Sequence, residues 1–405
     1  MLYIEPTAIG PLKISQIWKV AVVCCLLIFI AGKKLPGFVW IGIFYSVKYL
    51  FYIYFPYGYL LALQDFFESL IFPLFLAYFY LKYKNRSDSS ERLMHLAILL
   101  SLFLIYSAVP FLFGLKSLNP VTELERYGLE AIAMKGLFYH VAVSSKLFTV
   151  ATIVLIITWK RFCNSYFNRT VWLSAVLLGS YFVYSSWTRT AWFIFIIALV
   201  ISLFYGANIK KKLLAAIVCI LIFVGLTWLY ETNQALRWRL TGGTVYRTDT
   251  DLTLENLLQA RLPFIIVALE NLRNEGMGGQ LIGYGTLRGM DLFENKTNMK
   301  IISHNKTTEI LESSGLIGLF FYLFFWFKLF KMVFKRFKYV SYELKKLTLV
   351  SAALFSGFYL TSHGTPFFGE IIFACFLIGV IIEGQRISSK ILGTATYCSH
   401  PKALY

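Results

Sequence analysis

Long, nearly unbroken apolar stretches constrain this chain more than any other feature of its sequence. A transmembrane helix needs about 20 consecutive apolar residues to cross the hydrocarbon core of a bilayer. About eleven such stretches can be recognised. They lie at roughly 15–31, 37–55, 59–81, 93–114, 137–158, 170–187, 190–206, 213–230, 314–334, 347–362 and 368–384.

These stretches predict helices because each is continuously apolar, whereas the strands of a membrane barrel alternate between apolar and polar residues. Hydrophobic residues make up 58% of the chain, above the roughly 45–50% of soluble domains. We therefore predict an all-α, polytopic transmembrane bundle of about eleven to twelve helices. The count stays open at the first stretch, which is short and has lysines on both sides, so an extra or re-entrant crossing is an alternative.

The formal net charge of +18 could indicate a nucleic-acid partner, but its distribution argues otherwise. The basic residues cluster in every second short loop, at 33–34, 82–92, 160–169, 210–212, 335–346 and 386–390. Positive residues concentrate in cytoplasmic loops. The basic residues are therefore predicted to contact membrane lipids and not nucleic acid. The same pattern predicts that the N-terminus lies outside the cytoplasm and the C-terminus inside it.

The predicted membrane crossings divide the chain into four parts. Residues 1–230 hold transmembrane helices 1 to 8, 231–313 form a large periplasmic loop domain, 314–390 hold helices 9 to 11, and 391–405 form a cytoplasmic tail. The loop has nine basic and ten acidic residues and so lacks the basic bias of the inner loops. Within it, helical spacing of leucine and isoleucine predicts an amphipathic helix over 252–274, followed by a glycine-rich turn at 276–285.

Metal, disulfide and nucleotide sites have little support in the sequence. The six cysteines fall in predicted helices or on the cytoplasmic side, which argues against a disulfide or zinc framework. Asp249 and Asp251 imitate an acidic metal-binding pair, but a solvated loop is the preferred interpretation because nucleotide sugars are cytoplasmic. We therefore predict no metal and no cofactor.

Three residues are the main candidates for chemistry. Arg189 separates two apolar runs on the outer side, where it is either a snorkelling anchor or part of an anion site. Arg261 lies on the amphipathic helix, where it is an ordinary surface residue unless it faces Arg189 across a cavity and forms a phosphate clamp. His304 lies at the start of a predicted helix. Its imidazole either forms hydrogen bonds with the backbone there or is placed to accept a proton from a hydroxyl group.

Two further groups stay open. Asp65 and Glu68 lie one turn apart in a predicted helix. They could form a proton relay of the kind transporters use, or they could lie at the outer end of a helix that starts later than predicted. His363 and Glu370 belong to a short outer hairpin that could line the same cavity.

Three stretches of this chain resemble the O-antigen ligase and polymerase superfamily of bacterial inner-membrane glycosyltransferases. They are SSWTRTAW around Arg189, ARLPFIIVALENL around Arg261, and SHNKTTEILESSGLIG, with its His-Asn, Glu and Gly-x-x-Gly pattern. The resemblance implies that Arg189, Arg261 and His304 are the catalytic residues. Weaker contacts to the pyrophosphate or the glycan are assigned to Arg288, Asn305, Glu312 and His363.

The resemblance also implies a reaction and a location. The enzyme would transfer a glycan from undecaprenyl pyrophosphate, without metal and with inversion, to a sugar hydroxyl at the periplasmic face of the inner membrane. We predict an O-antigen polymerase, with the ligase that uses lipid A-core as acceptor and a lipid-linked oligosaccharide flippase as alternatives. A chain-length co-polymerase is a candidate partner that the sequence leaves open.

Overall fold

The computed structural model describes residues 8–9, 12–49, 59–114, 141–241, 262–285, 291–292, 294–295, 305–360 and 367–398. Nearly all of these residues are helical, so the predicted all-α architecture is confirmed for this part of the chain. The exception is a short antiparallel pairing of β1 (Ala8–Ile9) with β2 (Leu12–Lys13), just before the first helix.

The helices follow the predicted apolar stretches closely. They are α1 (Ile14–Ile30), α2 (Gly37–Val47), α3 (Tyr59–Tyr83), α4 (Ser89–Tyr106), α5 (Val109–Leu112), α6 (Val141–Ile157), α7 (Trp159–Phe162), α8 (Tyr166–Ser185), α9 (Arg189–Phe204), α10 (Ile209–Thr232), α11 (Gln234–Thr241), α12 (Leu262–Asn274), α13 (Gly276–Ile282), α14 (Lys306–Arg336), α15 (Tyr342–Leu354) and α16 (Phe367–Cys398). A 3₁₀ turn (Phe337–Tyr339) precedes α15, and a π-helical segment (Phe355–Leu360) follows it.

Five stretches of helix in the described residues are long and apolar enough to cross a membrane. They are Leu63–Tyr83, Ser89–Leu112, Lys212–Thr232, Lys306–Tyr339 and Phe368–Ser389. Shorter apolar helices accompany them at Ile17–Ile30, Gly37–Val47, Val143–Ile157 and Arg189–Phe204. By length and composition, the chain is therefore a helical membrane protein.

The centre of the bundle is formed by α16, which packs against α3, α4 and α14. Its inner face is a run of fully buried apolar side chains that includes Phe373 and Phe376. Buried hydroxyl groups in neighbouring helices donate to carbonyls of their own preceding turn, as Ser101 does to Ala97 and Thr152 to Phe148. These polar side chains are thus satisfied without water, as the interior of a membrane bundle requires.

Helix α14 begins eight residues before the predicted span at 314 and is interrupted close to that position. Gly315 has φ 61° and ψ −168°, so the chain leaves helical geometry for one residue inside α14. This backbone conformation is accessible to glycine and strained for other residues. The membrane helix was predicted to begin at 314, and the backbone is indeed interrupted at the next residue, Gly315. The residues before Gly315, however, are helical and not a loop.

The predicted glycine-rich turn is correct only in part. Gly276, at φ +70°, is the first residue of α13, and this short helix occupies the stretch as far as Ile282. The turn itself lies at Gly283 and Gly285, which also have positive φ. The amphipathic helix is confirmed over Leu262–Asn274, and its predicted first residues lie outside the described part of the chain.

One end of the bundle, here called the basic end, is held by polar contacts between loops. Arg161 pairs with Glu343, Arg386 donates to the Ser87 carbonyl, and the Ser341 amide donates to Glu383 at 2.7 Å. All of these residues lie in or beside loops that the charge pattern places on the same side of the membrane.

Candidate functional site

A cavity of about 150 Å³ lies at the other end of the bundle, here called the cavity end. Two long helices connect the two ends, because each carries a cavity residue near its start and a basic residue further on. Asp65 and Lys82 mark this on α3, and Glu370 and Arg386 on α16. At about 1.5 Å per helical residue, these positions are more than about 20 Å apart.

Five helical segments contribute to the cavity wall. These are α2 with the residues just after it, α3, α14, the π-helical segment and the first turn of α16. The lining residues are Tyr45, Tyr49, Asp65, Glu68, Ser69, Phe72, Pro73, Lys306, Tyr322, Phe325, Trp326, Tyr359 and Glu370. Charged groups therefore share this wall with several aromatic rings that are themselves almost wholly buried.

The aromatic part of the wall is centred on Trp326. Its ring stacks on Phe72 with centroids 5.2 Å apart and contacts Tyr359 at 4.8 Å. Tyr322 donates to the Tyr359 carbonyl at 2.8 Å, which ties α14 to the π-helical segment. Such π-helical segments are frequent at functional sites because they alter which side chains face inward.

The acidic part of the wall is only partly neutralised. Glu68 pairs with Lys19 of α1 and accepts a hydrogen bond from Gln64 at 3.1 Å. Lys306 pairs with Glu309 one turn further along α14, at 2.7 Å. Glu370 also lines the cavity, yet its carboxylate forms no hydrogen bond or ion pair with any residue that the structure describes.

A buried lysine stands next to this wall. The Lys48 ammonium lies 3.9 Å from the ring centre of Tyr45 and 4.5 Å from that of Tyr49, and in the described residues it has no hydrogen-bond partner. The tyrosine faces stabilise the cation by cation–π attraction. Gly318 makes room for it, since a Cβ there would lie 2.9 Å from the Lys48 Nζ.

The start of α14 is fixed by Asn305. Its side-chain oxygen accepts from the amides of Thr307 at 2.9 Å and Thr308 at 3.4 Å, which makes it the N-cap of the helix. Capping of this kind stabilises a helix by about 1 kcal/mol and fixes where it begins. Asn305 was predicted as a substrate contact, and in the structure its side-chain oxygen holds the helix start.

Glu312 is buried, with 5% of its surface exposed, and it joins α14 to the segment after α13. Its carboxylate accepts from the Tyr284 hydroxyl at 3.1 Å, and its carbonyl accepts from the Tyr284 amide at 2.9 Å. The Gly285 amide adds a bond to the Ser313 carbonyl at 3.3 Å. This geometry assigns Glu312 a structural contact in addition to its predicted role.

Two glycines allow that junction to form. A Cβ at Gly283 would collide with the backbone of Ser314 and Gly315, and a Cβ at Gly315 would collide with the backbone of Leu281. Both residues also have positive φ. Two stretches of main chain therefore touch directly here, which only glycine permits at both positions.

Arg189 is the first residue of α9 and is half-buried. Its guanidinium donates to the Leu240 carbonyl of α11 at 3.3 Å. Beside it, Trp187 has φ 54°, and its ring contacts Tyr184 and Trp192. Arg189 thus joins α9 to the beginning of the predicted loop domain, but it does not line the cavity.

The predicted residues fall into two groups. Arg189, Asn305, Glu312, Asp65, Glu68 and Glu370 are described, and the last three line the cavity together. His304, Arg261, Arg288, His363, Asp249 and Asp251 lie outside the described residues, so their predicted roles remain predictions.

Sequence reasoning missed Lys48, Lys306 and the aromatic wall. Lys48 is the only charged residue in the stretch 37–55, and a single charge inside an apolar span is a signal that could have identified it. Lys306 directly follows the His304-Asn305 pair and was overlooked beside it. The aromatic wall gave no usable signal, because aromatic residues are abundant throughout the chain.

In the described part of the chain, no group of three or more His, Cys, Asp or Glu side chains could hold a metal ion. Searches with family models and against curated proteins returned no match to this chain. The site itself therefore carries the functional argument.

Proposed function

We propose that this chain transfers a glycan from undecaprenyl pyrophosphate to a sugar hydroxyl at the outer face of the bacterial inner membrane, as an O-antigen polymerase. The observation that supports this most is the way the segment 241–285 is anchored. One end follows Leu240, which bonds Arg189, and the other ends at Tyr284, which bonds Glu312 of α14.

The three sequence candidates stand beside or between these contacts in the sequence. Arg261 lies within the anchored segment, and His304 immediately precedes Asn305, the cap of α14. The segment therefore links the helix of Arg189 to the helix that His304 precedes. The proposal requires that Arg189, Arg261 and His304 meet at one site.

The proposed orientation follows from charge. Cytoplasmic ends of membrane helices are rich in lysine and arginine, as the basic end is. The cavity end would then face the periplasm, where the lipid-linked substrate is held at the membrane surface.

The reaction would need no metal in this proposal. The acceptor oxygen forms a bond to the anomeric carbon while the bond from that carbon to the pyrophosphate oxygen breaks. His304 takes the proton of the acceptor hydroxyl, and undecaprenyl pyrophosphate leaves with the bonding electrons. Arg189 and Arg261 neutralise the charge that grows on the leaving group, because a guanidinium matches phosphate oxygens with two parallel hydrogen bonds.

Expression in two deletion strains tests the polymerase against the ligase. In a strain without its polymerase, we expect lipopolysaccharide with a single repeat unit to become a ladder of longer chains. Restoration of O-antigen on lipid A-core in a strain without its ligase, with no ladder in the first strain, would replace the polymerase by the ligase.

A second candidate function is transport of the lipid-linked oligosaccharide. It is favoured by one observation, that Asp65, Glu68 and Glu370 share a cavity in the membrane bundle, as the carboxylates of proton-coupled transporters do. In a transporter, Asp65→Asn and Glu68→Gln would abolish activity and His304→Ala would leave it. The polymerase requires that His304→Ala abolish chain formation.

A further inference from the structure

We propose that α12 and α13, here called the helix pair, lie in the lipid leaflet at the cavity end of the bundle, where acyl chains cover their exposed apolar side chains. The helix pair belongs to the stretch 231–313 that the sequence predicts to be a periplasmic loop domain. This position is independent of the proposed reaction, because it follows from exposure, packing and depth alone.

The large apolar side chains of α13 are turned away from the rest of the protein. They are Met277, Leu281 and Ile282, with 80%, 40% and 54% of their surfaces exposed. Ile266 and Leu269 of α12 are exposed to a similar degree, at 48% and 46%. Neighbouring apolar side chains exposed in this way mark a surface that meets lipid or a protein partner.

This surface continues the surface of a membrane helix. Both helices of the pair pack against α14, and the Leu281 main chain lies directly against Gly315. The residues that follow on α14 include Leu316, Ile317 and Phe320, with 51%, 47% and 60% of their surfaces exposed. They lie in a segment that is long and apolar enough to cross a membrane, so lipid is their expected neighbour. The exposed side chains of α13 therefore adjoin a lipid-facing surface, which favours lipid over a protein partner as their cover.

The depth of the contact between α13 and α14 agrees with this position. Lysine and arginine mark the boundary of the hydrocarbon core, and Lys335 and Arg336 lie in the last turn of α14. The core is about 30 Å thick, and counting the corresponding 20 or so residues back from Lys335 reaches Gly315, which Leu281 contacts. Counting from Lys331, one turn earlier, moves the boundary toward the start of α14 and places α13 deeper in the core.

The polar side chains of the helix pair limit how deep it lies. Glu270, Arg273 and Asn274 are exposed in the last two turns of α12. Helices at a membrane interface combine an apolar face in the leaflet with charged side chains at the level of the headgroups. The helix pair therefore fits the boundary of the leaflet and not its centre. There it would hold the loop domain against the membrane surface.

Fluorescence quenching tests this position on the full chain in lipid nanodiscs. The background variant keeps the buried Cys163 and Cys375 and has alanine in place of the other cysteines. We expect a dye on Leu281→Cys to be quenched several-fold more by a nitroxide on the phospholipid acyl chain than by a water-soluble nitroxide. Its emission should also shift to shorter wavelength.

Two labelled variants calibrate the measurement. Phe320→Cys, on the lipid-facing surface of α14, should behave like Leu281→Cys. Glu91→Cys, at an exposed acid in the first turn of α4 at the basic end, should show the opposite preference and no shift in emission.

Two outcomes would overturn the position of the helix pair. Quenching of Leu281→Cys mainly from the water, as for Glu91→Cys, would mean that the surface is exposed to solvent. Protection from both nitroxides would mean that a second copy of the chain or another protein covers it. Thermal unfolding identifies a variant that no longer folds, and Met277→Cys, labelled in the same way, then decides.

Discussion

The basic end and the cavity end of the bundle differ in how completely their charged residues are paired. At the basic end, charged groups meet partners in neighbouring loops, as Arg161 meets Glu343 and Arg386 meets the Ser87 carbonyl. At the cavity end, Glu68 pairs with Lys19 and Lys306 pairs with Glu309. Glu370 there has no hydrogen-bond or ion-pair partner in the described residues, and the Lys48 ammonium has no hydrogen-bond partner among them.

The difference separates ion pairs that join loops from ionisable groups that have no such partner. A charged group away from water costs free energy unless it is paired. Pairing at the basic end removes that cost and ties loops together. At the cavity end, Glu370 and Lys48 lack that compensation, which a bound substrate would supply in the proposed function.

The largest effect is expected at Arg189, compared with Arg169 at the opposite end of α8. Both guanidinium groups donate to a backbone carbonyl, Arg189 to Leu240 and Arg169 to Cys163 at 3.4 Å. If Arg189 stabilises the leaving diphosphate, Arg189→Ala should lower the rate by about 10²–10³. Chain formation by purified protein measures this.

Arg169→Ala is the control, and we expect its rate to remain within about twofold of the wild type, because a group at the basic end does not meet the leaving group. Equal losses of rate in the two variants would mean that both arginines only hold elements of the fold together. Arg189 would then have no special part in the reaction.

The next effect concerns the glycine junction that attaches α13 to α14. Gly315→Ala should destabilise the protein by about 1–3 kcal/mol and lower activity, because alanine is strained at φ 61° and its Cβ would meet the Leu281 backbone. Gly225→Ala is the control, since a Cβ there meets nothing within 4 Å. Thermal unfolding and chain formation are the measurements, and a Gly315→Ala variant as stable and active as the wild type would contradict the junction.

The sequence predicts the helices well because membrane insertion depends on a local property. A continuous apolar run must satisfy its own backbone in lipid, so α3, α8 and α10 could be located within a few residues. The break at Gly315 was harder to predict, because it depends on a contact with Gly283 that is far away in the sequence. A glycine-rich pattern indicates a turn without showing what the turn touches.

The candidate site was predicted only in part for a related reason. Asp65 and Glu68 were recognisable as acids in an apolar stretch, but their convergence with Lys306 depends on helix packing. Trp326 was not predicted, because one aromatic residue in a row of phenylalanines looks like any other. Single charges are informative in a membrane sequence, and aromatic residues become informative only when the neighbouring helix is known.

A smaller effect is expected for the ion pair of Arg161 with Glu343. Both side chains are partly buried, with 23% and 19% of their surfaces exposed. A double-mutant cycle with Arg161→Met and Glu343→Gln should give a coupling of up to about 1 kcal/mol, because a partly exposed pair remains screened by water. Chain formation should be unaffected. A loss of activity without loss of stability would show that the basic end takes part in the reaction.

The smallest effect is expected for Asp88 and Arg92, an exposed pair one helical turn apart at the basic end. The hydrogen bond from Arg92 lowers the pKa of Asp88 below its ordinary value. A lowered pKa favours folding above the ordinary pKa of an aspartate, and this contribution is lost as the pH falls through the lowered pKa. Solvent and salt screen so exposed a pair. Asp88→Asn should therefore leave thermal unfolding at neutral pH unchanged, and a clear drop that persists in high salt would show that the basic end relies on more than its buried contacts.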